Sequence, residues 1–216
     1  SDIYSDIEAN SLVIFVNPST PDGKYYDLKK LMKIWIEKSC TIFIDESFLD
    51  FTNNKSTIDY LKKYDKLYIL KSMTKIYSSA SIRVGAIISN TKNIVKIKEK
   101  EPLWKISYFD SIYLQNAIKD KEFIKKSKQI INQNKKYSIK NLKKFTFIKK
   151  IYKSEANYLL LKLKKIDAKE FQKSLVPYKI MIRECSNFDY LDEYHVRIAV
   201  KNRQSIAHLK EALKQF

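Results

Sequence analysis

The stretch Leu12-Val-Ile-Phe-Val16 is an unbroken run of apolar residues, which is typical of a strand buried on both faces. A helical pattern follows over Leu28–Ser39, then a second apolar strand over Thr41–Asp45, a helix over Ser56–Tyr64 and a third strand over Lys66–Lys71. This βαβαβ order predicts an α/β fold whose mostly parallel sheet is covered by helices on both faces. Ligands bind such sheets at the carboxyl ends of the strands, so we look for chemistry in the loops after these three strands.

The pattern changes beyond about residue 143. Before that point, Ile82–Ser89 reads as a further strand and Ser111–Leu142 as one long helix without Gly or Pro. After it, strands are predicted over Phe145–Tyr152, Tyr158–Leu163, Ile180–Arg183 and His195–Val200, and helices over Ala168–Leu175 and Gln204–Phe216. We therefore expect a large α/β domain over residues 1–143 and a small C-terminal α+β domain over residues 144–216.

Composition excludes several classes of protein. Of the 216 residues 44% are hydrophobic, which is too many for a disordered chain, and no apolar run approaches the roughly 20 residues of a membrane span. The net charge of +18 favours anionic partners. The lysines are spread along the chain, however, and the sequence shows no zinc-finger spacing. Solvated faces are therefore favoured over nucleic-acid binding. Cys40 and Cys185 form no disulfide or metal pattern, and this fits a soluble cytoplasmic protein without metal.

Glycine is scarce in this chain. Only two are present, whereas an average usage of ~7% would give about 15. Each glycine is therefore expected where no other residue fits the backbone or the space.

Two of the three strand ends carry candidate ligand-binding groups that can also be explained by a purely structural role. The first loop, Asn17-Pro18-Ser19-Thr20-Pro21-Asp22-Gly23, can present the Asn17 amide to a ligand, although most such loops are only turns. Asp45 ends the second strand, where a carboxylate either caps the next helix or holds a cation or a protonated heterocycle.

The third strand end is the most informative. Ser72-Met73-Thr74-Lys75 follows this strand, and Ser81-Ile82-Arg83-Val84-Gly85 comes shortly after it. A lysine behind two hydroxyl groups, with an arginine eight residues on, supplies a nucleophilic amine beside a phosphate-binding set. Any one of these residues alone would be interpreted as solvated surface.

Taken in order, these motifs resemble the class I and II aminotransferases, in the branch of histidinol-phosphate aminotransferases and threonine-phosphate decarboxylases. The resemblance continues through Pro102–Ser107, Ala156–Leu160, Ile182–Phe188 and Val196–Val200 and so covers essentially the whole chain. It implies an enzyme that uses pyridoxal 5'-phosphate to transfer the amino group of a small amino acid, phosphorylated or not, to an oxo acid. Loss of the α-carboxylate is the alternative reaction, and a homodimer is the implied assembly.

The resemblance also implies roles for individual residues. Lys75 would hold the cofactor covalently and move the α-proton, and Asp45 would keep the pyridine nitrogen protonated. Asn17 would bond the 3-oxygen of the ring. The cofactor phosphate would be held by Ser72, Thr74 and Arg83.

Substrate recognition is assigned by the same resemblance to two arginines. Arg197 would take the α-carboxylate of the substrate, and Arg183 either takes a second anionic group or is a surface residue.

The sequence also departs from the family pattern. Many members have Tyr at the position of Phe48, whereas Phe is familiar there in the decarboxylase subgroup. Family members are longer and carry a further segment before the Asn-Pro loop, so the resemblance implies that the chain lacks the N-terminal part. An inactive truncated fragment therefore stays open, as does a basic nucleic-acid-binding protein on charge alone.

Overall fold

The computed structural model describes residues 7–216 of the chain. The chain folds into two compact units. One unit contains the residues up to Pro18 together with Tyr25–Lys125, and the other contains Ser19–Lys24 together with Lys126–Phe216. The domain boundary between residues 143 and 144 stays a prediction.

The first unit is built on a four-stranded sheet. Its elements are β1 (Leu12–Val16), α1 (Lys29–Glu37), β2 (Thr41–Asp45), β3 (Leu67–Ser72), α2 (Met73–Ile76), β4 (Gly85–Ile88), α3 (Thr91–Lys98) and α4 (Tyr108–Lys119). The strand order is β1-β2-β3-β4, and the first three strands run parallel while β4 runs antiparallel to β3. The mostly parallel α/β sheet predicted from the sequence is confirmed.

The core of this unit lies between the sheet and α1. Ile42, Ile44, Leu67 and Ile69 are completely buried and pack in one cluster with residues of α1 such as Trp35. Because successive side chains of a strand point to opposite faces, one face of β2 and β3 carries this core. The apolar strands and the amphipathic α1 therefore form where the sequence pattern predicts them. The expectation that β1 is buried on both faces is wrong, because Leu12 and Ile14 are 63% and 67% exposed.

Local capping shortens or divides some predicted elements. The helix expected over Ser56–Tyr64 is a 3₁₀ helix over Thr57–Lys62, capped by the Ser56 hydroxyl; a second 3₁₀ helix spans Leu49–Phe51. The single helix predicted over Ser111–Leu142 is wrong, because α4 ends at Lys119 and α5 (Lys121–Leu142) begins after Asp120. The Asp120 carboxylate accepts a hydrogen bond from the Phe123 N–H at 3.0 Å and so starts a new helix.

The second unit is a small α+β unit. It contains most of α5, β5 (Ile148–Ile151), β6 (Tyr158–Leu163), α6 (Ala168–Leu175), β7 (Arg183–Glu184), β8 (His195–Ala199) and α7 (Arg203–Ala212). The antiparallel strands are ordered β5-β6-β8-β7. Leu159, Leu161 and Val196 pack with Phe171 and Leu175 of α6 in a separate core.

The strand predicted over Ile180–Arg183 is displaced towards the C-terminus and is shorter, because β7 spans only Arg183–Glu184. The Gln172 side chain donates to the Ile180 carbonyl at 3.0 Å and accepts from the Ile182 N–H at 2.7 Å. These two bonds hold the segment before β7 to α6 and compete with its pairing to β8. No helix in the described range has both the length and the apolar character needed to span a membrane.

Candidate active site

The carboxyl ends of β1, β2 and β3 lie side by side. Val16, Asp45 and Leu70 are register partners across the three strands, and the Asn17 N–H donates to the Asp45 carbonyl at 2.9 Å. This register brings Asn17, Asp45 and the Ser72 end of β3 to one edge of the sheet, as parallel pairing requires.

Asp45 begins a turn and keeps one oxygen uncommitted. Its Oδ1 accepts the Ser47 N–H at 2.8 Å in an Asx turn. Asp45 does not cap a helix as the sequence allowed, because the next one, the 3₁₀ helix over Leu49–Phe51, has Phe48 at its N-cap and no side-chain cap. Among the described residues no hydrogen bond or ion pair engages Oδ2. A half-buried carboxylate with a free oxygen at this edge can accept a hydrogen bond from a protonated ring nitrogen.

Asn17 is fixed by the backbone of Tyr26. Its Oδ1 accepts the Tyr26 N–H at 2.9 Å, and its Nδ2 donates to the Tyr26 carbonyl at 3.0 Å. The side chain is only 3% exposed, so its orientation is set by these two bonds. One of the two Nδ2 hydrogens is used, which leaves the second for another acceptor.

Lys75 lies in a cluster of hydroxyl groups. Its Nζ donates to Ser72 Oγ at 3.1 Å, and Ser72 Oγ is 2.8 Å from Thr74 Oγ1. The four-residue helix α2 begins directly at the end of β3, and this connection places the amine beside the strand-end serine. The Lys75 Nζ also lies 5.4 Å from the centroid of the Phe48 ring. The structure therefore brings Ser72, Thr74 and Lys75 together.

Arg83 is not joined to this cluster by its side chain. Its backbone runs close by, because Ser72 pairs with Gly85 and the Met73 N–H donates to the Val84 carbonyl at 3.2 Å. The exposed guanidinium, however, folds back and donates to the Ala80 carbonyl at 2.8 Å. This bond uses one of the five N–H donors of the guanidinium, so the others remain for an anion.

A second group of candidate residues lies within the second unit. Arg197 on β8 donates from Nη1 to Thr20 Oγ1 at 2.8 Å, and its guanidinium stacks 4.7 Å from the centroid of the Tyr158 ring. The Tyr158 hydroxyl donates to the Ser19 carbonyl at 2.8 Å. The segment Ser19–Lys24 thus packs on the face of the sheet that carries Arg197.

Arg183 lies directly opposite Arg197 in the β7–β8 register. It is exposed, it donates to Asn187 Oδ1 at 3.0 Å, and it lies 5.8 Å from the centroid of the Phe188 ring. Like charges directly opposite each other on neighbouring strands repel, so a bound anion would stabilise this pair. Arg183 and Arg197 are therefore brought together on one face.

Both glycines occupy positions that exclude a side chain. Gly23 has a φ of +73°, and a Cβ there would lie 2.1 Å from Ser154 Oγ. A Cβ on Gly85 would lie 2.9 Å from the Lys71 carbonyl oxygen. The expectation drawn from the scarcity of glycine is confirmed at both positions.

The sequence reasoning missed a buried carboxylate beside the site. Glu46, only 2% exposed, accepts from the Thr57 N–H at 2.7 Å, from Thr57 Oγ1 at 2.8 Å and from Ser56 Oγ at 2.7 Å. Lys71 Nζ lies 3.4 Å from the same carboxylate and 3.4 Å from Asp50. The signal was a second acidic residue directly after a strand end, to which the sequence analysis assigned no role.

A polar network in the second unit was also missed. Buried His195 contacts Asp192 Oδ1 through Nδ1 at 2.5 Å and the Tyr152 hydroxyl through Nε2 at 3.0 Å. Lys162 Nζ lies 2.7 Å from Asp192 Oδ2, and this hydrogen bond raises the pKa of Lys162. Burial raises the pKa of the free thiol of Cys185, so this cysteine is not an activated nucleophile. Within residues 7–216 no group of three or more acidic, His or Cys side chains could hold a metal ion.

Comparison with known families gives one extended match. The sequence profile of the family described as aminotransferase class I and II matches residues 1–215. This match covers the strand ends and the three arginines described above.

Individual relatives match the chain almost from end to end. A protein of Caldanaerobacter subterraneus subsp. tengcongensis named as a threonine-phosphate decarboxylase is 30% identical over 98% of the chain and 59% of its own length. A histidinol-phosphate aminotransferase of Methanocaldococcus jannaschii is 27% identical over 99% of the chain and 58% of its own length. Among solved structures, the histidinol-phosphate aminotransferase of Clostridium acetobutylicum is 36% identical, with a TM-score of 0.88, over 95% of this chain and 63% of that one. The chain thus spans about three-fifths of the length of these relatives.

Proposed function

The chain belongs to the class I and II aminotransferases, and from that premise we propose that it serves a pyridoxal-phosphate-dependent transfer of an amino group from a small amino acid to an oxo acid. The observation that carries this proposal is the Lys75 amine, held 3.1 Å from the Ser72 hydroxyl at the end of β3. An amine beside two hydroxyl groups and a strand-end carboxylate is the donor set that an aldehyde cofactor with a phosphate needs.

The side chains present fit this cofactor. The Ser72 and Thr74 hydroxyls supply neutral donors for a phosphate, and Arg83 supplies charged N–H donors beside the one that binds the Ala80 carbonyl. The free oxygen of Asp45 fits a protonated pyridine nitrogen, and the remaining Nδ2 hydrogen of Asn17 fits the 3-oxygen. When bound, pyridoxal phosphate withdraws electrons from the α-carbon of an amino acid.

The chain's own residues then divide the work. Asp45 holds a proton on the ring nitrogen, which preserves the electron demand of the ring. Lys75 would hold the cofactor through its amine and would move the α-proton of the substrate as a general base. The contact with Ser72 orients this amine.

The proposed substrate is a small amino acid that carries a second anionic group such as a phosphate. Its α-carboxylate is assigned to Arg197, whose guanidinium is held by Thr20 and by the Tyr158 ring. Arg183, opposite in the register, is assigned to the phosphate. The histidinol-phosphate aminotransferases among the relatives support a phosphorylated substrate.

Decarboxylation of an amino-acid phosphate is the second candidate reaction. Phe48 places an apolar ring, without a phenol, 5.4 Å from Lys75 Nζ, and one relative is named as a threonine-phosphate decarboxylase. Both reactions start from the same bound substrate, and they differ in which bond to the α-carbon breaks. A fragment without turnover is the third candidate, because the chain spans about three-fifths of its relatives.

One experiment separates these candidates. The 216-residue chain is incubated with pyridoxal phosphate, 2-oxoglutarate and either O-phosphothreonine or histidinol phosphate, and glutamate and carbon dioxide are both measured. Glutamate formation from either substrate supports transamination. Carbon dioxide without glutamate supports decarboxylation and is expected from O-phosphothreonine alone, because histidinol phosphate has no carboxyl group. Neither product, with cofactor still bound at Lys75, supports the fragment and overturns the enzyme proposal for this chain.

The proposed assembly and location follow from the family. We propose a homodimer that acts on small molecules in the cytoplasm and that binds neither membrane nor specific nucleic acid. Two free, buried cysteines support a reducing compartment.

A further inference from the structure

The second unit joins a hydroxyl, an imidazole and a carboxylate in one line of hydrogen bonds. His195 begins β8 and is only 3% exposed. Its Nε2 lies 3.0 Å from the Tyr152 hydroxyl oxygen, and its Nδ1 lies 2.5 Å from Asp192 Oδ1. Tyr152 directly follows β5, and all three residues belong to the second unit. Tyr152 and His195 are 43 residues apart in the chain, so the fold brings them together.

The short contact with Asp192 decides where the imidazole ring carries its hydrogen. Two lone pairs 2.5 Å apart would repel each other, so Nδ1 carries a hydrogen and donates it to the carboxylate. The Asp192 N–H, 3.3 Å from Nδ1, is too distant to reverse this assignment. In the neutral ring Nε2 is then an acceptor, and the Tyr152 hydroxyl donates to it. His195 is therefore oriented to take the hydroxyl proton, as the base does in an array of carboxylate, imidazole and hydroxyl.

Asp192 is held in its ionised form. Lys162 Nζ lies 2.7 Å from Asp192 Oδ2, the carboxylate oxygen that His195 does not use. Burial raises the pKa of Asp192, but this hydrogen bond and the neighbouring His195 hold that pKa below its ordinary value. The ionised carboxylate stabilises the imidazolium that forms when His195 takes a proton.

The surroundings of Tyr152 favour a negative charge on its oxygen. Lys150 Nζ lies 4.3 Å from the centroid of the Tyr152 ring. A cation over an aromatic ring attracts a phenolate more strongly than a neutral phenol, because the phenolate carries a full negative charge. Tyr152 is half-buried whereas His195 is buried, so the base is shielded from water while part of the tyrosine side chain reaches solvent.

We propose that Tyr152 is a nucleophilic tyrosine that takes an acyl group from small aryl esters. Its oxygen attacks the carbonyl carbon of the ester while its proton passes to His195 Nε2. The bond between that carbon and the leaving phenol oxygen then breaks, and His195 returns the proton to this oxygen. The products are acylated Tyr152 and a free phenol, and nothing is oxidised or reduced. The donor is an aryl ester because its leaving group must be at least as acidic as tyrosine itself.

Acetylation by 4-nitrophenyl acetate tests this assignment. The 216-residue chain is treated with the ester and digested, and the acetyl groups are mapped by mass. Hydroxylamine removes acetyl groups from tyrosine but not from lysine, so it identifies the tyrosine esters. Tyr190 is the internal comparison, because it is 97% exposed and both histidines of the chain contact other residues. Tyr152 should be acetylated at least about tenfold faster than Tyr190, since a general base typically contributes a hundredfold or more.

The variant His195→Gln removes the base and should slow acetylation of Tyr152 at least about tenfold. The matched control is His208→Gln, because the other histidine of the chain contacts the Tyr178 carbonyl and should have no effect. Circular dichroism shows whether the variants fold, and the comparison of Tyr152 with Tyr190 in the native chain does not depend on them. Tyr152 acetylated no faster than Tyr190, or equally fast in a folded His195→Gln chain, would overturn the proposal. The step uses no group at the strand ends of the first unit, so either result leaves the proposed function to its own test.

Discussion

At the residue scale, Arg197 is a guanidinium with two fixed supports. The Thr20 hydroxyl accepts one of its N–H groups and the Tyr158 ring lies below its plane. A lysine would keep the charge but lose the planar fork and the stacking. Recognition of a carboxylate by this residue therefore depends on its shape as well as its charge.

Arg197→Lys should lower kcat/KM for the amino acid at least about 100-fold, because a bidentate contact is lost. Cofactor binding, measured by the absorbance of the bound cofactor, should not change. Arg203→Lys is the matched control, since Arg203 also stacks on a tyrosine, Tyr137, but is exposed on α7. Equal losses in both variants would argue against a role for Arg197 in substrate binding.

Asp192 is a residue whose effect depends on pH. Burial pushes its pKa up, but the hydrogen bond from Lys162 and the neighbouring His195 outweigh this and hold the pKa below its ordinary value. An acid with a lowered folded pKa stabilises the protein above the unfolded pKa, and this contribution is lost as the pH falls through the folded pKa.

Asp192→Asn should therefore lower the free energy of unfolding at pH 7 by about 1 kcal/mol, a modest value because the carboxylate is partly exposed. The difference from the native chain should shrink as the pH falls below about 4. Urea denaturation at pH 7 and at pH 3 measures it. A difference that stays constant between the two pH values would contradict the assignment.

At the element scale, Glu46 ties the end of β2 to β3 and to the 3₁₀ helix over Thr57–Lys62. The carboxylate accepts three hydrogen bonds and faces the ammonium of Lys71. Glu46→Gln should lower the free energy of unfolding by about 2 kcal/mol, because a buried ion pair is broken and one donor loses its acceptor. Urea denaturation measures the change.

The control for Glu46 is Glu37→Gln. Glu37 is 63% exposed and lies 3.8 Å from Lys33 in an exposed pair, so its substitution should change stability by less than about 0.5 kcal/mol. If the Glu46 variant were equally silent, the anchoring role would be wrong.

The loop Ser19–Lys24 depends on the conformation of Gly23. Gly23→Ala should cost about 3 kcal/mol, because φ is positive and the new Cβ meets Ser154 Oγ. The double variant Gly23→Ala/Ser154→Ala should recover part of this loss, because the clash is removed while the backbone strain stays. Thermal unfolding of the three chains measures both contributions. A double variant no more stable than Gly23→Ala would exclude the clash as a cause.

Elements with a strong local pattern could be predicted from the sequence. The strands β1 and β2 coincide with their predicted bounds because continuous apolar runs decide them. The break at Asp120 and the short β7 could not be predicted, since each depends on one side chain reaching a backbone group. Periodicity does not record such contacts.

At the scale of the whole molecule, the order of strands and helices along the chain predicts which residues lie at the same edge of the sheet. It does not predict the contacts that their side chains make there. The strand-end rule places Asn17, Asp45 and Ser72 at one edge, and the register confirms this placement. Arg83 bonds the Ala80 carbonyl three residues back, and Glu46 is buried by contacts with later parts of the chain. The spacing of residues within the motifs encodes neither contact. The roles of the site residues stay predictions until they are measured.

The central claim is that Lys75 is the residue that holds the cofactor. The chain is incubated with pyridoxal phosphate, reduced with borohydride and digested, and the modified peptide is identified by mass. The account predicts modification at Lys75, its loss in Lys75→Ala and its retention in Lys66→Ala. Lys66 is the control because its amine contacts the Ser39 carbonyl at 3.1 Å in the native chain. Modification scattered over many lysines, or unchanged in Lys75→Ala, would contradict the account.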